Sequence, residues 1–411
     1  MDTPSSAQSP RAGIVLLLAA ALCINYIDRG SLSTLAPMIM DELHLSPEQF
    51  GYLSSAFFSA YVLAMMPAGW LAERFGARRV LTAGVLVWSM ATLLTGFANG
   101  LAMLFALRLL LGLGESVAFP SVSKILAVVV PESGRGRANG TTGFGYLIGP
   151  AIGTLVGGLL MSRIGWRNVF VIFGCASLLW LWPWLRVRIA EAATTTRKRA
   201  DAPTSRQILR QRGLWGASLG HFAGNYNFYF VLTWMPVYLV KYRHFETDEM
   251  AATGTTAYVL TAVCAVLMGA AADRWVRAGR SRNAIYKGAM ALNHVATIGC
   301  MAGMALLPAG GLVACLFVFA VVTGLSSPGY YAIPQTMAGP LAAGRWVGVQ
   351  NTCGNIAGII APAMTGILVQ LSGGRYESAF ALAAAMNLLG LAGWVWILPR
   401  IAPVDWTLQR A

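Results

Sequence analysis

The stretch QFGYLSSAFFSAYVLAMMPAGWLAERFGARR, residues 49–79, decides how the chain is read. Residues 49–72 carry no charged side chain, and a run of about 20 apolar residues is long enough to cross hydrocarbon as a helix. The run ends in GWLAERFGARR (69–79), where glycines and a Glu–Arg set mark a polar turn. The pattern returns 200 residues later, when an apolar run over 250–272 ends in GAAADRWVRAGR (269–280). Asn25-Tyr26 and Asn225-Tyr226 repeat at the same offset, and GPAIG (149–153) is echoed by APAMTG (361–366). Parallel repeats of this kind predict a ligand site near mid-membrane where the repeats meet.

Working outward, apolar runs recur at 12–37, 49–72, 78–98, 101–125, 137–161, 167–186, 213–240, 250–272, 284–307, 311–336, 346–371 and 377–398. The expected fold is therefore an all-α membrane protein with twelve transmembrane helices in two six-helix repeats. The N-terminal bundle covers 1–186, a polar linker 187–212, and the C-terminal bundle 213–411. Composition agrees, since only 11% of the 411 residues are charged, against about 25% in soluble domains. The run that opens after Arg11 continues to Pro37 without a small-residue cleavage site, so it reads as a retained span rather than a signal peptide.

The net charge of +14 would suggest nucleic acid in a soluble protein. Here 23 of the 30 Lys and Arg fall on one side of the expected membrane and five on the other. That bias puts both termini and the linker in the cytoplasm, requires an even number of crossings, and removes the case for nucleic acid. The six cysteines, Cys23, Cys175, Cys264, Cys300, Cys315 and Cys353, lie in apolar runs with neither CxxC nor metal-ligand spacing. Gly143–Gly158 lies in a span and has no P-loop lysine, so its small residues read as helix-packing positions. No nucleophile–base set or paired glycosidase-style carboxylates appear, and no enzyme or cofactor is expected.

Four charges sit inside spans: Asp28, Arg29, Arg108 and Glu115. Each costs about 2.5–3.5 kcal/mol at the bilayer centre unless a partner, water or ligand receives it. Arg108 and Glu115 are seven residues apart, roughly 10 Å along one helix face. Tyr26 and Arg29 also share a face, whereas adjacent Asp28 and Arg29 point to different neighbours. An Arg presents a fixed fork of donors to a carboxylate, so Arg108 or Arg29 is the expected anion anchor. A carboxyl in a low-dielectric chamber resists ionisation, which makes Asp28 and Glu115 the proton-coupling candidates. The expectation is that all four converge in one water-filled chamber.

The second half offers neutral polar groups instead: Asn225, Asn227 and Tyr229 in the seventh span, Ser326 and Ser327 in the tenth, Asn351 and Asn355 in the eleventh. Asn351 and Asn355 share a face, and neutral donors and acceptors suit a polyol chain. His221 and His294 lack an acidic partner in sequence and read as structural. The polar turn reads as a cytoplasmic gate built from Gly69, Glu73, Arg74, Gly76 and Arg78, with Asp273 and Arg274 as its second-half counterpart.

GWLAERFGARR resembles the signature loop between the second and third helices of the major facilitator superfamily, with Glu73 where Asp is usual. NYIDR (25–29) and RLLLGLGES (108–116) resemble the anion:cation symporter family within it. That family includes bacterial importers of galactonate, glucarate and hexuronates, as well as animal sialin and vesicular glutamate transporters. The resemblance implies proton symport, with Asp28 and Glu115 handling protons and Arg29 and Arg108 handling the anion and its coupling. It also implies pocket tyrosines at Tyr26 and Tyr61 and a polar patch at Asn351 and Asn355. The second loop departs from the signature after Arg274, so a symmetric gate is not expected. Gly145-x-x-x-Gly149-Pro150 resembles an antiporter motif and leaves export open.

The expected protein is thus a monomeric importer of the bacterial inner membrane, carrying a sugar acid (hexonate, hexarate or hexuronate) with protons. An aromatic or dicarboxylic acid is the alternative substrate, for which Trp234, Tyr330 and Tyr331 would suit a flatter pocket.

Overall fold

Lipid offers the backbone no hydrogen bonds, so an apolar chain satisfies its amides and carbonyls within helices. The computed structural model of the protein describes residues 8–130, 135–187, 189 and 203–406, and all regular structure among them is helical. The first half holds α1 (Gln8–Glu42), α2 (Pro47–Phe75), α3 (Ala77–Thr95), α4 (Leu101–Glu115), α5 (Ala118–Val129), α6 (Arg135–Leu179) and α7 (Leu181–Arg186). A short α8 (Ser205–Leu209) precedes α9 (Arg212–Val237), α10 (Thr247–Arg277), α11 (Arg282–Leu306), α12 (Ala309–Ser326), α13 (Gly329–Leu371) and α14 (Glu377–Leu391). Tyr238–Tyr242 and Ala392–Ile397 extend α9 and α14 as wider π-helical turns. Nine helices among the described residues are long and apolar enough to cross a membrane.

Several expected spans are joined or broken differently. The fifth and sixth run on as α6, which turns at Gly165 with φ 76°, a left-handed conformation open to glycine at little cost. A corresponding turn at Gly339 lies inside α13. The fourth span is divided just after Glu115 into α4 and α5.

The chain forms two compact units: Met1–Thr195 with Leu232–Thr255, and Thr196–Val231 with Thr256–Ala411. Within the first, missing side chains bring backbones together. Gly149 and Gly153 of α6 face the carbonyls of Cys23 and Ile27 of α1, where added Cβ atoms would stand 2.6 and 2.9 Å away. Gly145, one turn earlier, meets Ala19 in the same way. This stripe, rather than a nucleotide loop, is the use of the Gly-rich segment. Gly114 of α4 packs on the backbone of Trp88 in α3, and Gly112 on the backbone of Phe57 in α2.

The segment 232–255, the end of α9 and the start of α10, packs with the first half rather than with the rest of its own. Trp234 stands edge-on to Phe50 at 5.2 Å, Lys241 pairs with Asp41, and Gly158 admits Ala251. Nearby, Arg167 pairs with Glu42 at 3.0 Å and Trp166 Nε1 donates to the same carboxylate at 2.6 Å.

Candidate functional site

The middle of α1 and the length of α4 carry the buried charges. Asp28 is 1% exposed, Arg29 5%, Arg108 5% and Glu115 0%. Gly112 lies between Arg108 and Glu115 on one face of α4, spaced i, i+4, i+7, and its lack of a side chain lets α2 approach there. Phe57 is thereby delivered between the charges. Arg29 Nε donates to Glu115 Oε2 at 2.8 Å, and both side chains are almost wholly out of solvent. The Arg29 guanidinium also lies over Tyr61 at 4.4 Å, Tyr26 at 4.5 Å and Phe57 at 5.1 Å. Such ring faces attract a cation without consuming its hydrogen-bond donors.

Arg108 is placed differently. Its guanidinium stands 5.1 Å from the same Phe57 ring, and among the described residues its Nε has no hydrogen-bond partner. No carboxylate there comes within ion-pair distance of it. A narrow cavity opens beside it, lined by Arg29, Leu32, Ser33, Ser54, Phe57, Phe58, Arg108, Leu232 and Thr233. The two guanidiniums are thus presented to one small space, one tied to a carboxylate and the other with donors to spare.

The acids do not share that space. Neither Asp28 nor Glu115 lines the cavity. Asp28 is buried beside Thr92, with neither carboxylate oxygen in hydrogen-bond geometry, and it feels Arg108 and Glu115 through space. Of the four charges expected in one chamber, the two arginines line this cavity, Glu115 joins it through Arg29, and Asp28 is buried beside Thr92.

Of the expected tyrosines, Tyr26 and Tyr61 both touch Arg29. Asn225, Ser327, Asn351 and Asn355 belong to the second unit. There Tyr229 donates its hydroxyl to Asn355 Oδ1 at 2.7 Å, and Asn355 Nδ2 donates to the Asn351 carbonyl at 2.9 Å. Asn225 and Ser327 are half-buried. His294 Nδ1 meets Asn387 Oδ1 at 2.9 Å, and Asn387 donates onward to Asn227 at 3.2 Å. His221 packs on the Tyr330 ring at 4.7 Å and lies 3.4 Å from Gln350 Nε2.

In the polar turn, Gly76 separates α2 from α3 at φ 90°, again a glycine conformation. Arg78 donates to the Leu185 carbonyl at 2.8 Å, and Arg74 and Arg274 are exposed. Among the described residues nothing stands within 4 Å of a Cβ built on Gly69. The side chains of Glu73 and Asp273 lie outside the described residues.

Phe57, Ser54, Ser33 and Thr233 were not singled out from sequence. A signal existed for α2: Ser54, Phe57, Phe58 and Tyr61 are spaced i, i+3, i+4, i+7 and share a face. Ser33 and Thr233 carry no such mark, being ordinary hydroxyls in apolar spans.

The chain matches the Major Facilitator Superfamily over residues 18–362. It is 30% identical over 398 residues to a probable sulfoacetate transporter of Cupriavidus necator, covering 92% of this chain and 91% of that one. It is 30% identical over 432 residues to a probable galactarate/D-glucarate transporter of Bacillus subtilis, covering 94% and 92%. Among solved structures, a bacterial homologue of the human lysosomal transporter Spinster, inward-facing and unoccupied, matches with a TM-score of 0.82. That alignment covers 97% of this chain and 98% of the other at 18% identity, a likeness of fold.

Proposed function

Because this chain belongs to the Major Facilitator Superfamily, and is thus a multi-pass membrane transporter rather than an enzyme, we propose that it imports a small organic anion together with protons by alternating access. A sugar acid, of hexonate, hexarate or hexuronate type, is the substrate class proposed. The relatives named for sulfoacetate and for galactarate and glucarate support an acidic solute. The observation that carries the reading is the unequal state of the two arginines. Arg29 faces the cavity paired with Glu115 at 2.8 Å, while Arg108 faces it with no carboxylate among the described residues within ion-pair distance.

Arg108 is the anion anchor, since a guanidinium binds a carboxylate with two parallel hydrogen bonds. Arg29 and Glu115 form the coupling pair. When Glu115 takes a proton, its hold on Arg29 weakens and Arg29 turns to the anion beside Arg108. When the anion leaves, Arg29 returns and the proton is released. Asp28 serves as a second proton carrier near Arg108. The expected setting is the bacterial inner membrane, with both termini cytoplasmic, Arg74, Arg78 and Arg274 at the cytoplasmic gate, and the protein acting as a monomer.

Uptake into right-side-out vesicles tests this with labelled D-glucuronate, benzoate and succinate under an imposed pH gradient. Accumulation of glucuronate when the outside is acidic supports the reading. Accumulation of benzoate or succinate alone would replace the substrate class. Efflux driven by the same gradient would reverse the direction and make the protein an exporter.

A further inference from the structure

We propose that Ser54 is a specificity-determining residue, whose hydroxyl accepts the proton of a substrate hydroxyl and so selects hydroxylated acids over their deoxygenated analogues. The proposal rests on reading the cavity beside Arg108 as the anion site. Ser54 is 4% exposed, lines that cavity, and has no hydrogen-bond partner for its Oγ among the described residues. A serine inside a helix has a ready partner in the carbonyl one turn back. Ser31, Ser59 and Ser177 take it, bonding to Ile27, Ser55 and Phe173. Ser54 does not.

The donor–acceptor inventory of the cavity gives this hydroxyl its use. Guanidiniums only donate, so Arg29 and Arg108 satisfy a carboxylate but give nothing to the proton of a substrate hydroxyl. The carboxylates that would accept it, Asp28 and Glu115, are not in the lining. Ser33 and Thr233 also bring hydroxyls to the lining, but of the three only the Ser54 Oγ is fully buried without a partner among the described residues. A buried hydroxyl without a partner is costly, and a ligand that supplies one removes that cost. The converse gives selectivity, because a site built to hydrogen-bond a hydroxyl rejects the analogue that lacks it far more strongly than an apolar pocket rejects a change of size.

D-glucarate and adipate provide the test. Both have six carbons and two carboxylates, and they differ in hydroxylation alone. Dissociation constants would be measured calorimetrically on purified full-length protein for the wild type, Ser54→Ala, Ser54→Thr and Arg108→Gln. The wild type should prefer glucarate by at least about tenfold. Ser54→Ala should lose most of that preference by binding glucarate more weakly while adipate binding is unchanged. Ser54→Thr, which keeps a hydroxyl, should restore it. An undiminished preference in Ser54→Ala, or a wild type that binds adipate as tightly as glucarate, overturns the assignment. Arg108→Gln reports on the underlying reading: loss of both ligands upholds the anion site, and retention of both overturns it whatever Ser54 does.

Discussion

Neutralising either member of the Arg29–Glu115 pair should destabilise the protein more than neutralising both. The pair spans α1 and α4 at 2.8 Å, with side chains 3% and 0% exposed. Removing one partner of such a pair leaves a buried charge uncompensated, at about 3–5 kcal/mol. Glu115→Gln strands a guanidinium, which cannot shed its proton. Arg29→Gln strands a carboxyl, which can become neutral by taking one up, so its cost should shrink as pH falls while that of Glu115→Gln persists. The loss of ring contacts with Tyr26 and Tyr61 adds about 0.5–2 kcal/mol to Arg29→Gln at every pH. The double variant removes both charges and should be more stable than Glu115→Gln alone. Equilibrium unfolding of the four proteins in mixed micelles, followed by tryptophan fluorescence at two pH values, measures each term. Singles that each cost under about 1 kcal/mol, or a double whose loss is the sum of the singles, would refute the reasoning, because independent sites add.

Arg108→Gln should abolish anion binding, read calorimetrically, while the protein stays folded; unimpaired binding removes Arg108 as anchor. Gly112→Ala drives a Cβ into the Phe57 carbonyl and to 3.1 Å from Ala60 Cβ, and overpacking of this kind costs about 1–3 kcal/mol. Its unfolding midpoint should therefore fall, and a wild-type midpoint would mean that α2 and α4 are not in close contact there. Gly158→Leu leaves no room for Ala251 and should dislodge the segment 232–255. A cysteine placed at Thr233 would then react severalfold faster with a membrane-impermeant maleimide, and an unchanged rate would count against that packing.

Much of the fold was legible because lipid makes length and apolarity decisive. Most of the expected runs fall on helices whose ends differ by a few residues, but the fourth and tenth are divided after Glu115 and Ser326, and Gly165 and Gly339 mark turns inside α6 and α13. The proximity of Arg29 and Glu115 was legible as well, since buried charges demand company. Harder to read were features that depend on how helices face one another. The face shared by Ser54, Phe57, Phe58 and Tyr61 is visible in the sequence, but that this face meets Arg108 is not. The attachment of residues 232–255 to the first unit rests on tertiary contacts, among them Phe50 with Trp234 and Asp41 with Lys241, that no local pattern announces. That Asp28 and Glu115 do not line the cavity is likewise something that spacing along a helix does not report.

The central claim is that the Glu115 carboxylate and the anion compete for Arg29, and the proton count of binding tests it most directly. D-glucuronate would be added to purified protein in weakly buffered micelles containing a pH-sensitive dye. The account predicts that the wild type takes up protons as the anion binds, because Glu115 is neutralised when Arg29 turns away, and that Glu115→Gln binds with little or no uptake. Anion binding by the wild type without proton uptake, or with the same uptake in Glu115→Gln, would contradict it.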